Sequence, residues 1–179
     1  MMAKAKKELK PTVEETGIQR LMARMAAKHA NVMTATEAMR RVRYMDFMDP
    51  HTGLPEILLD KESLFESILP FKEIVSENPT GILMSHARTS AIDSQMPSCL
   101  SHTWVTKILR EEFNYKGIIF SDDIFMGALA NNGFPPDKAV IMAIEAGIDC
   151  IMISEKRFAF SAKTLYEKAI SDVDFEKKI

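Results

Sequence analysis

Cysteine is scarce: Cys99 and Cys150 are the only two among 179 residues, with no Cys-x-x-Cys or Cys/His spacing. That is too few for a disulfide framework and offers no structural metal site, so a reducing, cytoplasmic compartment is expected. An excess of charge of one sign is lacking as well. Twenty-three Lys and Arg against 25 Asp and Glu leave a formal net charge of −2, and no basic stripe is interleaved with aromatics. A nucleic-acid partner is therefore not expected. No apolar run approaches the roughly 20 residues that span a bilayer, and the opening MMAKAKKELKPTVEE has basic residues with no apolar segment behind them. Neither a membrane span nor a secretory signal is expected.

What is present is enough apolar material for one core, 46% hydrophobic residues beside 27% charged, which suits a single globular domain or a piece of a larger one. The thirteen methionines are scattered and read as adaptable core filling. Residues 1–10 form a Lys-rich polar tail. Between 11 and 47, two Thr-x-x-Glu pairs (Thr12 with Glu15, Thr34 with Glu37) precede apolar residues at helical spacing, so two helices are predicted. The pattern changes at DPHTGLPEILLD, where two prolines and a glycine predict a loop without regular structure.

From 48 to 179 the chain alternates. A helical pattern through Leu64, Phe65 and Ile68, interrupted at Pro70 and resuming at Phe71, Ile74 and Val75, leads to the apolar run GILMSHA, predicted as a buried strand. After the loop ARTSAIDSQMPSCL, Ser101 is the expected N-cap of a helix burying Val105, Ile108, Leu109 and Phe113. YKGIIFSDD supplies a second strand, a helix from about Asp137 to Glu145 stops at Gly147, and CIMIS is a third strand before a last helix, roughly Phe160 to Ile170. Alternation of this kind predicts an α/β fold in which adjacent parallel strands are joined by right-handed crossovers. In such folds functional groups gather at the carboxyl ends of strands, which puts His86 and the Asp122/Asp123 pair on one face.

Two adjacent carboxylates repel one another if both enter one pocket, so one of Asp122 and Asp123 is expected to face a site and the other to cap the following turn or pair with a basic side chain, the rival reading being that both are solvated caps. Asp49 lies two residues before His51, a spacing that lets the carboxylate hold one ring nitrogen while the other faces outward, as an acid/base dyad requires. An ordinary solvated turn has the same spacing. His86 could line a pocket or be a hydrogen-bonded structural histidine, and His102 is expected on the surface.

The order DPHTGLP, ILPFKEIV, GILMSHA, PSCLSHTWVTKILREEFNYKGIIFSDDIFMGAL and AIEAGIDCIMIS, from Asp49 to Ser154, resembles the β-N-acetylhexosaminidases of glycoside hydrolase family 3. The resemblance implies a (β/α)8 TIM-barrel fold, of which about three strands are legible here, so 48–179 reads as a partial barrel. It implies a retaining mechanism on an N-acetylhexosamine-containing saccharide, with Asp122 as nucleophile, the Asp49/His51 dyad as acid and base, and no cofactor. The family's Lys-His-Phe-Pro-Gly motif before the dyad has no counterpart, since Lys28 and His29 are followed by Ala30 and Asn31. A complete barrel needs eight strands, so self-association or a second chain completing it is expected. The rival readings are a truncated, inactive barrel fragment or interaction module, and a phosphoacceptor domain. The latter needs further carboxylates before GILMSHA to hold magnesium, and none is suitably placed.

Overall fold

A computed structural model describes residues 49, 51–154 and 157–179, all within the compact unit Met45–Ile179. The tail at 1–10 and the two helices expected between 11 and 47 lie outside the described residues. Strand β1 (Glu56–Ile57) precedes helix α1 (Lys61–Ser76), whose first turn is capped by the Asp60 carboxylate accepting from the Ser63 amide at 2.8 Å. Contrary to expectation, α1 runs unbroken through Pro70. Pro70 removes one ladder donor, a cost of about 3 kcal/mol in an exposed helix, but Leu64 and Val75 anchor buried positions on either side of it. Burial on both flanks keeps the helix continuous across the local break.

Strand β2 (Gly81–Met84) and strand β4 (Ile118–Ser121) pair in parallel, with Leu83 opposite Phe120 and Met84 opposite Ser121. Between them come strand β3 (Arg88–Thr89), a 3-10 turn (Ser98–Leu100) and helix α2 (Thr103–Glu112). β3 pairs in parallel with β1, so the segment expected to be irregular contains a two-residue strand. Ser101 does cap α2: its hydroxyl accepts from the Trp104 amide at 3.3 Å and its carbonyl from the Val105 amide at 2.9 Å. α2 is wound as a π-helix, and the Phe113 amide bonds Ile108 five residues back at 2.8 Å. Its buried residues, Trp104, Val105, Ile108 and Leu109, include three of the four expected.

Helix α3 (Gly127–Ala130) follows β4, then helix α4 (Pro136–Ala146) ends at Gly147, whose φ of 105° is the left-handed cap expected there. CIMIS runs extended beside β4 in parallel, through a bridge between Phe120 and Cys150 and a bond from the Ser121 amide to the Cys150 carbonyl at 3.0 Å. Its side chains alternate, Ile151 and Ile153 packing on the core while Cys150 and Met152 are exposed. Helices α5 (Phe158–Ser171) and α6 (Val173–Glu176) close the chain.

The main core joins Ile119, Val105, Leu109, Tyr115, Ile124, Leu129, Val140 and Ala143, all buried between the strands and helices. Each fully buried large aliphatic side chain contributes about 1.5–3 kcal/mol. Only one face of the strands is covered in this way. On the other, Leu83, Ile118 and Met152 are exposed at 51%, 44% and 39%, a high fraction for parallel strands, which are usually covered on both faces.

Candidate active site

The carboxyl ends of β2 and β4 lie side by side, and the Asp122 amide extends the ladder by one bond to the Met84 carbonyl, at 3.1 Å. Asp122 therefore leaves the strand at a fixed height. Its Oδ1 accepts from the next amide, that of Asp123, at 2.8 Å. The Asp123 side chain is engaged elsewhere: its Oδ1 accepts from the Phe125 amide at 3.0 Å and so caps the turn into α3. Burial pushes the Asp123 carboxyl up, but hydrogen bonds from the Ser154 side chain and from the Phe125 and Ser154 backbones outweigh it and hold the group below its ordinary range. Of the pair, Asp123 is thus the carboxylate that caps the following turn.

The Asp49/His51 pair forms a dyad. The His51 Nδ1 lies 2.9 Å from Asp49 Oδ1, which also accepts from the His51 amide at 2.9 Å. These bonds, the backbone one first, hold the Asp49 carboxyl below its ordinary value. A carboxylate oxygen accepts, so Nδ1 carries hydrogen and Nε2 is the nitrogen available to give or take a proton. The His51 side chain is 75% exposed and the residues form a turn, with Thr52 and Gly53 amides bonding the Asp49 carbonyl at 2.9 and 3.0 Å.

That turn is seated on the segment just beyond Asp122. A Cβ added at Gly127 would stand 2.4 Å from the His51 carbonyl oxygen, so only a glycine permits the approach. The Asn131 side-chain amide donates to the Thr52 carbonyl at 3.4 Å. Dyad and nucleophile candidate are thus carried at one end of the strands by contacts spanning more than 70 residues. Neither Gly127 nor Asn131 had a sequence signal beyond following the Ser-Asp-Asp strand end.

His86, expected as a pocket or structural residue, is buried beneath this end at 1% exposure, and His102 is exposed as expected. Among the described residues no three His, Cys, Asp or Glu side chains cluster as a metal site, and no helix is long and apolar enough to cross a membrane.

Residues 19–177 match the family model described as the glycosyl hydrolase family 3 N terminal domain. The chain belongs to glycosyl hydrolase family 3. Its α/β fold with parallel strands is accordingly the TIM-barrel-like fold of that domain. Among family relatives, a β-hexosaminidase of Methylococcus capsulatus is 40% identical over 106 residues, covering 59% of this chain and 31% of the relative. The solved structure of CbsA from Thermotoga neapolitana superimposes with a TM-score of 0.67 at 29% identity, over 73% of this chain and 31% of that one. The β-N-acetylglucosaminidase from Thermotoga maritima does so with a TM-score of 0.63 at 27% identity, over 70% and 29%. The chain thus spans about a third of the length of the relatives it matches.

Proposed function

We propose that this family 3 chain carries the catalytic residues of a retaining β-N-acetylhexosaminidase. The observation that carries the reading is the seating of the Asp49/His51 turn on Gly127, five residues beyond Asp122, at the carboxyl end of the strands. The names of the relatives, β-hexosaminidase and β-N-acetylglucosaminidase, supply the substrate class.

In the first step the free Asp122 oxygen attacks the anomeric carbon. The bond to the leaving oxygen breaks, and that oxygen takes the Nε2 proton of doubly protonated His51. In the second, the now neutral Nε2 removes a proton from water, whose oxygen attacks the same carbon and releases the Asp122 carboxylate. Asp49 holds the ring in one orientation and offsets its positive charge. The steps balance without a metal or organic cofactor.

The finer reading of the fold is three consecutive strands of an eight-stranded barrel, with the Leu83, Ile118 and Met152 face turned toward the barrel interior. Charge-assisted sugar contacts from further barrel strands contribute about 1.5–3 kcal/mol each to orienting the substrate.

The test is hydrolysis of aryl N-acetyl-β-glucosaminides with good and poor leaving groups. Asp122→Asn should abolish the wild-type reaction on all of them. His51→Ala should cost about 100- to 10,000-fold on poor leaving groups and far less on activated ones. Equal losses across the leaving-group series would remove His51 as the acid.

A further inference from the structure

Among the described residues His86 is the one buried imidazole, and both of its ring nitrogens are engaged. Nε2 lies 2.9 Å from the Asp123 carbonyl oxygen and Nδ1 lies 3.1 Å from Cys99 Sγ. A carbonyl can only accept, so Nε2 bears the hydrogen. Nδ1 is then a lone pair if the ring is neutral, and the Cys99 thiol donates to it. Burial pushes the imidazole below its ordinary value and the thiol well above its own, which keeps both groups in these neutral forms.

Cys99 is brought there by the backbone. Its amide bonds the Ser85 carbonyl at 3.1 Å, and the Ser98 amide and hydroxyl both bond the Ala87 carbonyl, at 2.9 and 2.6 Å. The loop before α2 is thus laced across the two residues flanking His86.

The bonds run in one direction: Cys99 S–H to His86, His86 Nε2–H to the Asp123 carbonyl, and the Asp123 amide to Asp122 Oδ1. We propose that His86 is a positioning residue for the nucleophile, a neutral imidazole that fixes the Asp123 backbone. The Asp123 N–H is thereby aimed at one Asp122 oxygen, leaving the other to attack. The proposal rests on the assignment of Asp122 as nucleophile. Asp123 is held at four points, its carbonyl by His86 and the Met126 amide and its carboxylate by Phe125 and Ser154, so its amide has little freedom to turn away. The two bonds joined through the His86 ring, from the Cys99 thiol and to the Asp123 carbonyl, polarise one another and strengthen the hold on that carbonyl. An apolar residue at 86 would fill space yet remove one of the two donors to the Asp123 carbonyl, leaving only the Met126 amide at 3.1 Å.

The experiment uses the full chain and a 5-fluoro N-acetyl-β-glucosaminyl fluoride. Its fluoride departs with little help from an acid, so formation of the Asp122 adduct, read by peptide mass spectrometry, reports the nucleophile apart from His51. His86→Leu should lower the limiting rate of adduct formation about tenfold or more while leaving the half-saturating reagent concentration unchanged. His86→Gln, whose amide can still donate to the Asp123 carbonyl, should recover to within about threefold of wild type. Should His86→Leu fail to fold, nitrogen-15 NMR of wild type and Cys99→Ala supplies the second measurement. The His86 ring should be the Nε2-protonated neutral tautomer in wild type at neutral pH.

Folded His86→Leu labelled at the wild-type rate, or a ring protonated at Nδ1, would overturn the proposal. No Asp122 adduct in wild type is a different result. It would sink the nucleophile assignment itself and the positioning role with it.

Discussion

His86 and His51 are the same chemical group in opposite surroundings, one enclosed beneath the strand ends and the other held by a carboxylate at the surface. For His86 the surroundings set a pH dependence whose sign can be worked out. Its folded pKa is lowered, chiefly by burial, so between the unfolded value near 6.5 and the lower folded value the unfolded chain binds a proton that the folded chain does not. Stability is therefore full above about pH 6.5 and falls as the pH drops through that window. The depressed carboxylates Asp49, Asp123 and Asp172 act at lower pH, since their stabilisation is lost only as pH falls below the ordinary carboxylate range. The urea midpoint should hold steady from pH 8 to 7 and decline from 7 to 5, with a smaller decline in His86→Gln. A flat wild-type midpoint across that interval would contradict the burial argument.

At the scale of elements, the turn carrying the dyad depends on α3 for its place. Gly127→Ala introduces a Cβ where the His51 carbonyl now sits, so the turn must lift away while α3 itself, a helix that favours alanine, is not penalised. Hydrolysis of substrates with poor leaving groups should fall by about tenfold or more, with the melting temperature changed by only a few degrees. Unaltered hydrolysis would mean that the seating is incidental. The paired strands were legible because GILM and IIFS are short apolar runs between turn residues, whereas CIMIS, read as a strand, only runs extended beside β4 with a single bridge, and the end of α4 was legible because a glycine stands where a left-handed cap is required. Pro70 signals a break that does not occur, because burial of Leu64 and Val75 on its two flanks holds the helix together across it. β1 and β3 are two residues each, too short for any periodicity, and the π-winding of α2 leaves no mark in residue order. Asp122, Asp49 and His51 are singled out by the family resemblance, since local spacing leaves open which carboxylate faces a site and whether Asp49 and His51 are more than a solvated turn. The role of His86 was not legible, since its partner is a backbone carbonyl 37 residues away.

At the largest scale, the exposed sheet face among the described residues is the dominant physical fact. Leu83, Ile118 and Met152 project from three neighbouring extended segments on one side, where a complete barrel would present its packed interior. Apolar surface of this kind on open strand edges favours association, so sedimentation should reveal self-association that Leu83→Lys with Met152→Lys reduces. A strictly monomeric wild type at high concentration would contradict that expectation. Association or not, the chemistry assigned to the strand ends needs one carboxylate above all others. The most direct test is chemical rescue of Asp122→Ala with azide on an activated aryl N-acetyl-β-glucosaminide. If Asp122 is the nucleophile, the variant is inactive in buffer, and azide entering the vacated space restores cleavage with an α-glycosyl azide as product. Residual hydrolysis by Asp122→Ala at the wild-type rate, or rescue giving no glycosyl azide of inverted configuration, would contradict the account.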